Sequence, residues 1–190
     1  VNCLSCKSKS CRKTVSCGAE SFGLAESLEN YHRPENQQVI RAAARLVDGG
    51  RAGTLSRIQE IVEFARDMEY RNIGIAYCYG MEDTALAVRD LFASQGLKAT
   101  GVSCTVGGLR QDQVNPDSSL PGVSCSPLNQ AAQLNAQKAD LAVVIGLCMG
   151  HDILFNREFD GDITTLVVKD RTNGHNPMQG ITKSSPKASS

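Results

Sequence analysis

Eight cysteines in 190 residues carry most of the chemistry legible in this sequence. Cys3, Cys6, Cys11 and Cys17 crowd into the first 17 residues at a C-x2-C-x4-C-x5-C spacing. Lys7, Lys9, Arg12 and Lys13 lie between them, with no acid. The segment has no apolar periodicity from which to build a core, so fixed thiols are its only organiser. Four thiolates suit tetrahedral zinc or a four-iron cluster. The spacing matches neither a zinc ribbon nor the bacterial ferredoxin run, so metal binding is expected and the metal stays open. The cations would offset the negative charge of a thiolate site and could dock an acidic redox partner; equally, they form a solvated basic face.

Cys78, Cys104, Cys125 and Cys148 are far apart in the chain, so only folded elements can bring them together. The first third reads as helical. Pro34 suits a helix start, Gly49-Gly50 stop that helix, and Ser56 with Gln59 makes a capping box before the stripe Ile58, Ile61, Val62, Ala65, Met68. From Asn72 the pattern changes to short apolar strands, Ile73–Cys78, Lys98–Cys104, Leu141–Cys148 and Ile163–Lys169, alternating with helices over Met81–Ser94, Asn129–Ala139 and from His151. Residues 105–124 read as a turn-rich loop. Leu141–Cys148 is continuously apolar, as in a parallel strand covered on both faces. Strands alternating with helices predict an α/β fold, a small parallel sheet of about four strands with flanking helices, Rossmann- or flavodoxin-like.

Open α/β sheets bind ligands at the carboxyl ends of their strands. On this pattern Cys78, Cys104 and Cys148 end strands and Cys125 precedes a helix, so four thiols converge on one sheet edge. Helix N-termini following Cys78, Cys125 and Cys148 would favour thiolate there. Cysteine is also a common buried small hydrophobe, which accounts for one or two of these positions more readily than for four. An α/β chain with a full core and no apolar leader segment is a poor scaffold for structural disulfides. His151, Lys169 and Arg171 fall near the same edge as candidate catalytic or substrate contacts. Their ordinary roles, in a helix start and a surface ion pair, carry equal weight. Cys104 to Arg110 also fits C-x5-R, the phosphate-cradling loop of cysteine-dependent phosphatases. Against that, Gln111 stands where serine or threonine is usual, and no clear helix start follows Arg110.

Composition excludes several classes. Twenty basic residues balance twenty acidic ones, which argues against a dedicated nucleic-acid binder. No run of 18 or more apolar residues is present, so no membrane span is expected. The charge is uneven, with +4 in residues 1–17 and +3 from Arg171, Lys183 and Lys187.

Several stretches resemble a known family. They include Gly74-Ile75-Ala76-Tyr77-Cys78, Val102-Ser103-Cys104, Gly146-Leu147-Cys148-Met149-Gly150-His151-Asp152, and Val168-Lys169-Asp170-Arg171-Thr172-Asn173-Gly174-His175-Asn176-Pro177. With these the chain is similar to the cysteine-rich proteins called domain of unknown function 1847, found mainly in anaerobes. The resemblance implies metal binding and aligns the family's cysteine-rich segment with Cys3, Cys6, Cys11 and Cys17. It implies no established reaction.

The resulting expectation has four parts: a metal-binding segment at 1–18, a helical region at 19–71, the α/β domain at 72–181 and a disordered tail at 182–190. The function expected is that of a cytoplasmic iron–sulfur protein with one or two 4Fe-4S clusters. The N-terminal quartet would serve electron transfer or structure, and the edge quartet redox or sulfur chemistry. Partners would be a redox protein or a small-molecule substrate. Zinc with thiol or metal handling is the alternative, and a phosphatase using Cys104 and Arg110 the third.

Overall fold

The computed structural model describes residues 2–15 and 23–184. Its contacts divide the chain into two compact units, Val1–Thr54 and Leu55–Ser190.

In the first unit, two short 3-10 turns, Cys3–Ser5 and Ser10–Lys13, hold Cys3 and Cys11, with Cys6 directly after the first. Asn2 caps the first by accepting the Leu4 N–H on its side-chain oxygen at 3.1 Å. Helix α1 (Leu24–Tyr31) and helix α2 (Pro34–Val47) follow. Pro34 opens α2 as expected, since its missing N–H belongs to a helix's unpaired first turn. The amides of Asn36 and Gln37 then reach back, each at 2.7 Å, to the Asn30 and Tyr31 carbonyls at the end of α1. Of the described residues here only Ala42 is buried, so local hydrogen bonds rather than a large apolar core organise this part.

The second unit contains a four-stranded, all-parallel sheet in the order β2-β1-β3-β4. The strands are β1 (Asn72–Tyr77), β2 (Lys98–Ser103), β3 (Leu141–Ile145) and β4 (Asp162–Val167). All five residues of β3 are buried, matching its continuous apolar run. The helices are α3 (Arg57–Asp67), α4 (Glu82–Ser94), the single turn α5 (Gln111–Val114), α6 (Pro127–Ala136), α7 (His151–Glu158) and α8 (Pro177–Ser184). Helix α3 begins at the expected capping box, with Ser56 N–H donating to Gln59 Oε1 at 2.8 Å. Ile61, Val62 and Ala65 of α3 join the core with Phe92 of α4, Leu134 of α6 and Phe155 of α7. Gly74 lets α6 lie close on β1: a Cβ there would meet Leu134 at 2.9 Å.

Four expectations need correction. Helix α3 belongs to the α/β unit, so the helical region does not run unbroken to residue 71. The expected tail at 182–190 is helical as far as Ser184; its remainder lies outside the described residues, as does Cys17. The strands stop short of the cysteines: Cys78 and Cys104 are the first residues beyond β1 and β2, and Cys148 is three beyond β3. A helical turn does open after Arg110, inside the 105–124 loop.

Candidate thiolate site at the sheet edge

Strand order places a topological switch between β1 and β3. From β1 the chain crosses to β2 on one side, then returns past β1 to β3 on the other. Crevices at such points, outside the carboxyl ends of the strands, are where open α/β sheets take ligands. Here that position is flanked by Cys78 and Cys148.

Backbone hydrogen bonds extend the sheet beyond its strands and lock the cysteine segments side by side. Ser126 N donates to Cys104 O at 2.6 Å, Cys104 N to Tyr77 O at 2.9 Å, Cys78 N to Ile145 O at 3.0 Å, and Gly146 N to Val167 O at 2.8 Å. The expected convergence of Cys78, Cys104, Cys125 and Cys148 is therefore carried by the main chain. Cys104 and Cys125 touch, sulfur to sulfur at 3.6 Å. Cys104 also accepts the Tyr79 N–H at 3.4 Å, and it and Cys78 act on each other electrostatically. Both Cys78 and Cys148 act electrostatically on Cys125.

Two cations complete the edge. Lys169 Nζ lies 3.2 Å from Cys78 Sγ, and a guanidinium nitrogen of Arg171 lies 3.1 Å from Cys148 Sγ. Lys169 follows β4, yet its partner follows β1, with β3 between them. It crosses at Gly146, where φ is +64° and a Cβ would meet Met81 Sδ at 2.2 Å and Lys169 Cδ at 3.7 Å. Glycine suits that backbone best, and a side chain there would press on Met81. A register shift between Val144 and Ile145 leaves one extra residue in β4 just before this crossing, and such irregularities re-aim the side chains that follow. Arg171 is set by its own loop: Asp170 Oδ1 accepts the N–H groups of Thr172 at 3.1 Å and Asn173 at 3.0 Å, and His175 Nδ1 accepts the Asp170 N–H at 3.1 Å.

The thiols are not equivalent. Burial pushes Cys78 up, but the Gly80 backbone N–H, the Lys169 ammonium and the Cys104 thiol outweigh it, and its pKa falls below the ordinary 9.0. Burial dominates at Cys104 and raises it to about 12, with Cys125 beside it adding to the rise. Cys125 is raised too, chiefly by burial. The site thus combines one thiolate-favouring sulfur with two that hold their protons. Among the described residues, no three His, Cys, Asp or Glu side chains gather closely enough to hold a single metal ion.

The remaining candidates divide. His151 opens α7, its N–H on Cys148 O at 2.9 Å, and its Nδ1 is buried without a partner. Arg110 is not brought to Cys104. Its guanidinium forks onto exposed Asp112 at 2.9 and 2.8 Å, which deprives the phosphatase arrangement of its arginine. In the first unit Cys3 and Cys11 are exposed and Cys6 is half-exposed, 3.6 Å from Ser8 Oγ. The Lys9 backbone N–H and the Ser8 hydroxyl lower the Cys6 pKa.

One residue escaped sequence reasoning. Gln130 is fully buried and donates to Tyr77 O at 3.1 Å and Val102 O at 2.6 Å, stitching the ends of β1 and β2 just before Cys78 and Cys104. Its Oε1 has no partner. The signal was present: Pro127, Gln130, Ala131 and Leu134 form the buried stripe of α6, and an amide in an apolar stripe marks a buried polar task.

A family model described as protein of unknown function, DUF1847, matches residues 17–166. That span takes in all four edge cysteines and leaves Cys3, Cys6, Cys11, Lys169 and Arg171 outside. Uncharacterized protein MJ0455 of Methanocaldococcus jannaschii is 32% identical over 184 residues, covering 95% of this chain and 93% of the relative. No solved structure matches. No helix among the described residues is long and apolar enough to cross a membrane. On these two matches the chain belongs to the DUF1847 family.

Proposed function

We propose that the chain is an iron–sulfur protein whose edge cysteines, Cys78, Cys104, Cys125 and Cys148, ligate a cluster, with Cys3, Cys6, Cys11 and Cys17 as a second, local ligand set. The observation carrying this reading is the gathering of four thiols at the switch point with Lys169 and Arg171 on two of the sulfurs. A thiolate centre is a dense negative charge, and cations hydrogen-bonded to its sulfurs stabilise it and tune its potential. Among the described residues no three thiols gather round one point, so the sulfurs would have to close on a centre as it binds. When bound, a cluster would supply one-electron chemistry. The chain's own part is to hold the sulfurs through the edge hydrogen bonds and Gln130, to neutralise them with Lys169 and Arg171, and to shield Cys78 and Cys104 from water. A reducing compartment such as the cytoplasm would keep these thiols free.

Protein purified without oxygen should be brown and contain iron with acid-labile sulfide. Cys148→Ser should lose the share belonging to the edge. One observation favours a second reading, zinc: tetrahedral bonds of 2.3 Å place sulfurs ~3.8 Å apart, close to the 3.6 Å between Cys104 and Cys125. Colourless protein with stoichiometric zinc and no labile sulfide overturns the cluster in favour of that reading.

A further inference from the structure

From the contact between Cys104 and Cys125 we infer that these two residues are a reversible dithiol–disulfide pair, a thiol-exchange site that accepts oxidising equivalents from a low-molecular-weight disulfide. The edge sulfurs fall into two kinds by their partners. Cys78 is engaged by Lys169 and Cys148 by Arg171, whereas the sulfurs of Cys104 and Cys125 meet each other at 3.6 Å. A disulfide bond is about 2.05 Å long, so closing the gap takes a shift of roughly 1.5 Å. The backbone already holds the two segments together, since Ser126 N donates to Cys104 O and Ser124 N to Leu109 O at 2.7 Å. Access is one-sided: Cys104 is 2% exposed, while Cys125 is half-buried and can be reached.

Cys125 is therefore the entry sulfur. Cys125 first gives up its proton to solvent base, and the thiolate so formed attacks a disulfide RS–SR, breaking that bond to give Cys125–S–SR and one RS−. The Cys104 sulfur then attacks the Cys125 sulfur, forming the internal disulfide and releasing the second RS−. The two thiol protons end on the two RS− groups, so two protein thiols are oxidised and one RS–SR is reduced to two RSH. Oxidation withdraws two of the four edge sulfurs. That consequence for metal binding rests on the ligand reading above; the disulfide itself does not.

The test treats metal-free full-length protein with glutathione disulfide, alkylates the remaining thiols and maps tryptic peptides by mass. Cleavage at Arg71, Arg89, Lys98, Arg110, Lys138 and Arg157 puts each edge cysteine on its own peptide. The expected product joins peptide 99–110 to peptide 111–138, is reversed by a phosphine, and is replaced in Cys104→Ser by a glutathione adduct on Cys125. A dominant link between any other pair, or no link in folded wild-type protein, overturns the inference, and that readout needs no variant to fold. Zn2+ uptake is then measured in a chain carrying Cys3→Ser, Cys6→Ser, Cys11→Ser and Cys17→Ser. Loss of uptake on oxidation, restored by phosphine, supports the control of metal binding. Equal uptake in both states overturns that control alone, and no uptake in either state counts against the ligand reading while the disulfide stands.

Discussion

The two cysteine quartets use the same residue type in opposite ways. The N-terminal set is local: in the described part, Cys3 and Cys11 sit on short 3-10 turns and Cys6 directly follows the first, all with exposed or half-exposed side chains. The edge set is assembled from residues up to 70 positions apart by a parallel sheet, with Cys78 and Cys104 buried. A local set can organise itself around a metal, because its ligands are close whatever the rest of the chain does. An assembled set exists only while the sheet does, and in exchange it gains neighbours that tune each sulfur separately. Were the first to bind a metal, binding free energy would be folding free energy; for the second, the fold places the sulfurs whether or not a ligand is bound.

The strongest way to break the contrast is to melt the sheet. Phe155 is fully buried and stacked on Phe159 at 5.6 Å between ring centres. Phe155→Ala should cost about 3–5 kcal/mol, read by denaturant unfolding, and should make Cys78 and Cys104 alkylate as fast as Cys3. Unchanged protection of Cys104 in that variant would mean the sheet is not what shields it. Next in size, Gly146→Ala forces a side chain into the left-handed region and against Met81; it should cost about 1–3 kcal/mol, read by denaturant unfolding, and displace Met81, read by its crystal structure, while Lys169 keeps Cys78.

Smaller effects sharpen the contrast through pH. Folded Cys104 keeps its proton to about 12, against 9.0 for an ordinary thiol. Once pH exceeds 9 the unfolded chain binds fewer protons there than the folded one, so stability falls as pH rises from about 9 towards 12. Chemical denaturation of metal-free protein across that window should show the fall, and Cys104→Val should flatten it. Cys78 has the opposite sign, its lowered pKa contributing stability that is lost as pH drops through it. Lys169→Met should therefore raise the Cys78 pKa and slow its alkylation at neutral pH, with no change at Cys3 or Cys11. The smallest effect expected is at Arg110. It pairs with Asp112 in solvent, so Arg110→Ala should leave Cys104 reactivity and metal content unaltered; a large change would revive the phosphatase arrangement.

Much of this was readable in one dimension, and the failures have physical causes. The strands were recognisable because β-structure writes apolar runs between glycine and proline turns, and α2 and α3 because Pro34 and the Ser56–Gln59 box are local signals. The strand ends fall short of Cys78, Cys104 and Cys148 because an apolar residue just past a strand continues its pattern, and at Cys78 and Cys104 even one ladder hydrogen bond, without being paired in register. Helix α8 is not legible because its eight residues carry only Met178 and Ile181 as large apolar side chains, too few to declare a period. The amphipathic stripe of α3 declares a buried face without saying what buries it, so its packing in the core of the sheet is not legible in the sequence.

That four thiols should meet at a sheet edge followed from pattern alone, since each lies close beyond a strand or before a helix and parallel strands all end on the same side. Which sulfur meets which partner did not. Lys169 reaches Cys78 only because the strand order brings their segments to either side of Gly146. Cys104 finds Cys125 only because a 20-residue loop folds back to place Ser126 on the Cys104 carbonyl. Periodicity is a property of neighbours along the chain and survives in the sequence. Pairing across strands depends on topology and close packing, and those are settled only when the whole chain is folded.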